Sequence, residues 1–223
     1  MSVASEYRAV VGLGNPGSRY LCTRHNIGFL VTDLIRSASG ASDDEEFNTR
    51  LLSNVKSALR GELDQAGWSS RDERLEAPVT VGDWSASLIK PQAFMNRSGE
   101  PLRDFLAYKK IPISEVVVVH DEIDLPLGSV RVKVDGGEGG HNGLRSISSV
   151  CGGRAYARVR VGVGKPPEGS PMSKAEDGVA AWVLSRFDSE ELPFVEELMV
   201  RSAQAVVCLA REGLRTAQNR FNR

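Results

Sequence analysis

Short hydrophobic runs alternate along the chain with stretches of helical spacing. Residues 8–13, RAVVGL, predict a short buried strand that ends in the turn-rich GNPGS. Residues 116–119 are four consecutive valines between polar residues, a pattern typical of a central strand buried on both faces. Residues 87–90 indicate a third strand, which leads into PQAFMNRSG. These runs predict three strands of a sheet.

Helical spacing separates these strands. After Asn26, apolar residues recur every three or four positions and form one helical face: Ile27, Leu30, Val31, Leu34 and Ile35. A second such face precedes Pro112 and consists of Leu102, Phe105 and Leu106. The glycine-rich GGEGGHNG opens another helix, and residues 192–213 have the pattern of a long amphipathic helix. Strands interleaved with helices predict a single three-layer α/β/α domain, residues 1–223, with a mixed, twisted central β-sheet.

Two further strands alternate valines with basic residues. The first has Val130, Val132 and Val134 against Ser129, Arg131 and Lys133. The second has Val159, Val161 and Val163 against Arg158, Arg160 and Gly162. Because side chains alternate between the two faces of a strand, each basic pair shares one face. If the two faces join, they form a strip that could follow the phosphates of a nucleic acid.

Residues 37–83 have a less clear pattern. The segment begins with SASGASDDEE, has more acidic than basic residues, and contains weak signals for both strand and helix. We interpret it as an insertion or an elaborated connection within the domain. Its acidic balance indicates that it does not extend a surface for nucleic acid.

Composition limits the class of protein. Hydrophobic residues make up 41% and charged residues 26% of the 223 residues, values typical of a globular domain. Formal net charge is −1, so nucleic-acid binding would require a local basic surface; residues 131–165 contain seven basic and two acidic side chains. The three cysteines are far apart, which indicates reduced thiols. The N-terminal stretch has no apolar signal core, so we expect a cytoplasmic protein with no membrane partner.

Polar residues cluster where the predicted strands end. The segments are GLGNPG with CTRHN, then FMNRSG, then HDEID with GGHNG. In α/β sheets, functional sites gather at the carboxyl ends of the strands. We therefore expect six residues that are distant in sequence to be neighbours in space: Asn15, His25, Asn96, Asp121, His141 and Asn142.

Four segments in this order resemble the bacterial-type peptidyl-tRNA hydrolase family. The similarity begins at VVGLGNPGSRYLCTRHNIGF and resumes at LIKPQAFMNRSG. It continues through VVVVHDEIDLPLGSVRVKVDGGEGGHNGLR and RVRVGVGKP, so it covers nearly the whole chain except residues 37–83. The resemblance implies hydrolysis of the ester between a peptide and the 3′-ribose of tRNA, by a monomer without metal or organic cofactor.

The resemblance also implies roles for individual residues. His25 is the expected base and Asp121 the carboxylate that orients it, which agrees with the near-neutral pKa of imidazole and with other His–Asp pairs. The implied substrate-binding residues are Asn15, Tyr20, Met95, Asn96 and Asn142. The implied contacts to tRNA phosphates are Arg131, Lys133 and Arg160. His141 lies beside the expected site, and His120 is expected to pack rather than to catalyse.

Other interpretations remain open at this point. Relatives of the expected fold serve as organellar intron-splicing partners, so the chain could bind RNA without catalysis. The spacing of Gly12, Gly14 and Gly17 matches a dinucleotide-binding fingerprint, but Pro16 interrupts the turn and the required acidic residue is missing. The histidines and Asp121 lack the spacing of a metal motif. Glu138 stands where the family often has histidine, and could weaken RNA binding or reorient the glycine-rich loop.

Overall fold

Seven strands of the described residues, 7–223, form one sheet in this computed structural model. Their bounds are β1 Ala9–Gly12, β2 Ser69–Arg71, β3 Arg74–Val81, β4 Trp84–Pro91, β5 Val116–Glu122, β6 Val130–Val134 and β7 Ala157–Gly162. The strand order is β2-β3-β4-β1-β5-β7-β6. β1 is parallel to both β4 and β5, and β5 is parallel to β7, whereas the other pairings are antiparallel. The prediction of a mixed sheet is confirmed.

Helices cover both faces of this sheet. Their bounds are α1 Ile27–Ser37, α2 Asp44–Leu59, α3 Gly99–Lys109, α4 Asn142–Val150, α5 Pro171–Lys174, α6 Gly178–Val183 and α7 Leu192–Phe221. Val117 and Val119 of β5 share one core cluster with side chains of α1, α2 and α7. Val116 and Val118 point to the other side, into a cluster with α3 and α4. The central valine strand is therefore buried on both faces, and the predicted α/β/α layers are confirmed.

Residues 37–83 contain α2, β2 and β3. The Asp43 carboxylate accepts a hydrogen bond from the backbone N–H of Glu46 at 2.9 Å, so the acidic run caps the start of α2. β3 pairs with β4 along its whole length, from Arg74 opposite Pro91 to Val81 opposite Trp84. This pairing is the reason that β4 begins at Trp84 and not, as predicted, at Ser87. The segment thus supplies one edge of the sheet.

The long C-terminal helix is interrupted at one glycine. Gly213 has a φ of 83°, in the left-handed region, and separates two helical stretches within α7. Glycine adopts this conformation without the steric cost that a Cβ atom brings, and it commonly ends helices. The predicted end of the helix at residue 213 is therefore confirmed, and a second helical stretch follows to Phe221.

The side chain of Asn222 occupies the open edge of β6. Its Oδ1 accepts a hydrogen bond from the Val132 backbone N–H at 2.6 Å, and its Nδ2 donates to the Val132 carbonyl at 2.9 Å. Gln218 Nε2 donates to the same carbonyl at 3.3 Å. Since β6 is the last strand of the sheet, these backbone groups have no neighbouring strand. The end of α7 thus takes the place of one.

Within residues 7–223, no helix combines the length and the apolar character needed to cross a membrane. The expectation that the chain has no secretory signal rests largely on residues 1–6, which lie outside the described residues.

Candidate active site

A cavity of about 550 Å³ opens where β1, β4 and β5 end. It is lined by all six residues that the sequence pattern placed together, Asn15, His25, Asn96, Asp121, His141 and Asn142, and by Met95, an expected substrate-binding residue. Tyr20 is not part of the lining, but its ring contacts that of Phe94, which is, with 6.5 Å between the ring centroids. The end of the sheet therefore brings together side chains that are up to 127 positions apart, from Asn15 to Asn142.

Asp121 is the centre of a hydrogen-bonded group. Its Oδ1 lies 2.8 Å from His25 Nδ1 and 2.9 Å from His141 Nε2. The side chain is only 3% exposed. Burial alone would raise the pKa of this carboxyl group, but the two imidazoles outweigh it and hold the pKa well below the ordinary range. Asp121 is therefore ionised at neutral pH and accepts both hydrogen bonds.

Hydrogen bonds determine which nitrogen of each histidine carries the proton. His141 Nδ1 accepts the backbone N–H of Gly143 at 3.1 Å, at the start of α4, so its proton is on Nε2 and is donated to Asp121. His25 donates from Nδ1 to Asp121, which leaves its Nε2 as the unprotonated nitrogen. Among the described residues, nothing hydrogen-bonds to this Nε2. His25 thus presents a basic nitrogen at the cavity.

The pKa of His25 results from two opposing effects. Burial lowers it, because a charged imidazole loses solvation. The charge of Asp121 and its hydrogen bond raise it, and together they prevail, so that the pKa lies above the ordinary histidine value. Asp121 therefore both orients the ring and strengthens it as a base.

The Asn15 loop is held by Asn26, a residue that the sequence analysis did not select. Asn26 Oδ1 accepts the Asn15 backbone N–H at 2.9 Å, and its Nδ2 donates to the Asn15 carbonyl at 3.0 Å. Asn15 Oδ1 in turn accepts the Met95 backbone N–H at 2.8 Å. This chain of contacts connects the loops after β1 and β4, and leaves Asn15 Nδ2 as the donor available at the cavity. The only signal in the sequence was the position of Asn26 directly after His25.

Arg24 attaches one wall of the cavity to the turn that carries His25. That wall is α6. The guanidinium of Arg24 lies 3.8 Å from the ring centroid of Trp182 in α6, and its Nη2 donates to Glu191 Oε2 at 2.8 Å. The Arg24 side chain is only 1% exposed. Sequence reasoning missed this role because an arginine beside a polar motif is normally expected at the surface.

His120 and His141 extend the polar group behind Asp121. His120 Nδ1 donates to the Asp121 backbone carbonyl at 2.7 Å, and burial, followed by the nearby His141, lowers the pKa of His120 well below its ordinary value.

The described residues include one grouping with metal-ligand character, His25, Asp121 and His141, whose ligand atoms lie within 4.8 Å of one another. The two hydrogen bonds to Asp121 already account for this proximity.

The two basic strands lie side by side. Arg131 is directly opposite Arg160, and Lys133 is opposite Arg158, so the predicted faces do join. Arg158 is only 1% exposed, so it is not available to a phosphate on this surface. Its guanidinium donates to the carbonyls of Gly136 and Gly137, both at 2.7 Å, and so anchors the glycine-rich loop. We name the three remaining residues, Arg131, Lys133 and Arg160, the basic strip; none of them lines the cavity.

Comparison with known proteins identifies the family. The model of the family described as peptidyl-tRNA hydrolase matches residues 9–223. Peptidyl-tRNA hydrolases of Citrifermentans bemidjiense and Nocardia farcinica are 38% and 41% identical to this chain, and the alignments cover 96% of it and 97% and 95% of the two relatives. A crystal structure of peptidyl-tRNA hydrolase from Acinetobacter baumannii matches with a TM-score of 0.77 and 26% identity, over 100% of this chain and 97% of that one.

The fold and these matches define a hydrolase that acts on carboxylic ester bonds. Within that class, the chain belongs to the peptidyl-tRNA hydrolase family.

Proposed function

We propose that the cavity hydrolyses the ester between a peptide, or an N-blocked amino acid, and the 3′-terminal ribose of tRNA, with His25 as general base. One observation carries this assignment. His25 Nδ1 is bonded to the buried Asp121, and its unprotonated Nε2 is left at a cavity lined by amide side chains. Ester hydrolysis by water requires such a base near neutral pH, together with hydrogen-bond donors for the developing oxyanion.

In the proposed reaction, His25 Nε2 removes a proton from a water molecule as its oxygen attacks the ester carbonyl. The resulting imidazolium is stabilised by the charge of Asp121, to which it remains bonded. When the tetrahedral intermediate collapses, the bond to the ribose 3′-oxygen breaks and the imidazolium returns the proton to that oxygen. The peptide is released as a carboxylic acid, which loses its proton to solvent, and the tRNA is released with a free 3′-hydroxyl. His25 is restored to its neutral form.

The amide side chains supply polar contacts that do not titrate. Asn15 Nδ2 is the donor placed to bind a carbonyl or the oxyanion, since its Oδ1 is held by the Met95 backbone. Asn96 and Asn142 offer amides to the peptide bond and the terminal nucleoside. Met95 is buried and supports the peptide from below, and Tyr20 contacts the substrate from the rim next to Phe94.

The direct test of this function is cleavage of N-acetyl-aminoacyl-tRNA, followed by release of the labelled N-acetyl amino acid. We expect multiple turnovers without added metal or cofactor, in chelator-treated buffer. Binding of tRNA without cleavage would instead support the non-catalytic RNA-binding alternative. The predicted monomer is checked by light scattering of the same sample, and the predicted cytoplasmic location by fractionation of cells that express the protein.

We expect N-acetyl-aminoacyl-tRNA to be cleaved far faster than the same aminoacyl-tRNA with a free amine. The neutral amides of Asn15, Asn96 and Asn142 can pair with a peptide group, whereas a buried ammonium group would lose hydration without gaining a dedicated carboxylate. The measurement is kcat/KM for both substrates on one tRNA, corrected for spontaneous hydrolysis. Equal values would remove this account of selectivity.

We expect substitution of Arg131 and Lys133 with alanine to raise KM for full-length substrate while kcat stays near wild type. These two cations form no ion pair with a carboxylate among residues 7–223, so they are the strip residues most available to phosphate. Each lost phosphate contact should reduce the slope of log K against log salt concentration by about 0.7–0.9. The matched control replaces Lys56 and Lys109, exposed cations on α2 and α3. A slope that changes equally in both double variants would place the tRNA elsewhere.

A further inference from the structure

Three of the seven cations in residues 131–165 already hold a carboxylate. Arg160 pairs with Glu122 at 3.0 Å, Lys165 with Asp124 at 2.7 Å, and Arg154 with Glu138 at 2.6 Å. Glu122 and Asp124 lie outside that segment in sequence, so the charge count of the segment overstated the free positive charge. These carboxylates therefore reduce the positive charge that this surface presents to solvent.

Of these three carboxylates, Glu122 has the least exposed side chain, and it pairs with a residue of the basic strip. It is the last residue of β5, directly after Asp121, and it lines the cavity. Its Oε2 accepts a hydrogen bond from Arg160 Nε at 3.0 Å and lies 3.0 Å from Arg160 Nη2, and its Oε1 accepts the Asp124 backbone N–H at 3.2 Å. The side chains of Arg160 and Glu122 are 24% and 13% exposed. Glu122 is thus held in place from two sides at the boundary between cavity and strip.

The two guanidinium nitrogens that Glu122 occupies are a pair that would otherwise bind a phosphate. Nε and Nη2 form one fork of the guanidinium, and this fork matches the oxygens of a carboxylate and of a phosphate equally well. A phosphate that approaches this edge of the Arg160 guanidinium must therefore displace Glu122 or share the fork with it. Sharing would place two anions in contact, which is unfavourable.

The surroundings of Lys133 show the same balance of charges. Burial, and then the positive charges of Arg160 and Arg158, lower the pKa of Lys133, while Glu122 and Asp135 oppose this effect. Glu122 therefore compensates a cluster of cations that repel one another. Without its charge, the cluster would attract a diffusible anion more strongly.

We propose that in the free protein Glu122 occupies the place that a tRNA phosphate takes on Arg160, so that tRNA binding exchanges one anion for another. The exchange weakens the binding of every tRNA, including the deacylated product, and so favours turnover. It makes Glu122 a determinant of tRNA affinity, in addition to the cations themselves. This inference rests on the proposed use of the basic strip by tRNA.

The test measures binding of deacylated tRNA to Glu122→Gln over a range of salt concentrations. We expect affinity to increase about two- to fivefold, the range that a partly exposed ion pair supports. The slope of log K against log salt should become steeper by up to about 0.9, which corresponds to one more neutralised phosphate. The matched control is Glu115→Gln, which breaks the Arg8–Glu115 pair just before the other end of β5 and removes the same charge.

Two outcomes would overturn the inference. Weaker binding by Glu122→Gln would mean that Glu122 positions Arg160 for phosphate, and unchanged affinity and slope would mean that the pair is inert. A double-mutant cycle with Arg160→Gln guards against indirect effects, because the gain from Glu122→Gln must disappear when Arg160 is absent. The Arg131 and Lys133 double variant separates the two hypotheses. If the double variant has the same salt slope as the wild type, tRNA does not use the basic strip and the proposed path has failed. If the double variant has a reduced slope but Glu122→Gln gains no tRNA affinity, only the inference about Glu122 is rejected.

Discussion

Substitution of His25 with alanine is expected to lower kcat by about 100- to 10,000-fold, the usual contribution of a general base. The imidazole Nε2 is the unprotonated nitrogen at the cavity, and Asp121 maintains it in that form. Asp121 and His141 would remain hydrogen-bonded to each other in the variant. We therefore expect the fold and the affinity for deacylated tRNA to be retained, as measured by circular dichroism and by the same salt-dependent binding assay.

Free imidazole provides an internal control for this variant. The alanine substitution leaves a space of the right shape beside Asp121, and imidazole in the buffer should restore part of the lost kcat in a concentration-dependent way. A variant that keeps more than about a tenth of wild-type kcat would show that another group is the base. Loss of kcat together with loss of tRNA binding would indicate a disrupted fold instead of a missing base.

Replacement of Asp121 with asparagine is expected to reduce kcat by roughly 100-fold or more and to shift its pH dependence. The wild-type rate should rise with pH as His25 loses its proton, with a midpoint above the ordinary histidine pKa because Asp121 raises that pKa. In the variant, burial acts on the pKa of His25 without the opposing charge, so the midpoint should move to lower pH. The base becomes weaker and its orientation less certain, and both effects lower kcat.

The matched control for this experiment is Asp124→Asn. It is the same chemical change three residues along the chain, and Asp124 pairs with Lys165 and not with an imidazole. The control should leave the midpoint of the pH profile where it is in the wild type. A midpoint that stays constant in Asp121→Asn, or one that moves to higher pH, would contradict the assignment of His25 and Asp121 as base and orienting group.

Elements with one dominant pattern could be predicted from the sequence. The four consecutive valines of β5 indicate a strand that is buried on both faces, because a half-buried strand would alternate apolar with polar side chains. The helix α1 was equally clear from its apolar spacing. The same reasoning predicted that the polar motifs lie at one cavity, since parallel strands end at one edge of the sheet and the motifs follow those ends.

Features that depend on tertiary contacts could not be predicted in this way. β3 and the first half of β4 are stabilised by each other, and neither has a strong pattern of its own. Arg24 and Arg158 are nearly inaccessible to solvent because an aromatic ring or backbone carbonyls supply their partners, and these partners come from distant segments. The charge of the basic strip was overestimated for the same reason, as Glu122 reaches it from a different strand.

The amide of Asn222 on the edge of β6 has a consequence for the protein in a crowded solution. An unpaired edge strand is a template on which another chain can add a strand, and repeated addition leads to aggregates. Asn222 Oδ1 and Nδ2 occupy both backbone groups of Val132, so a strand from a second molecule would first have to displace the end of α7. Arg131 and Lys133 flank this position and repel a second copy through like charge. The edge formed by β6 can therefore bind a polyanion and still resist strand addition by a second molecule of the protein.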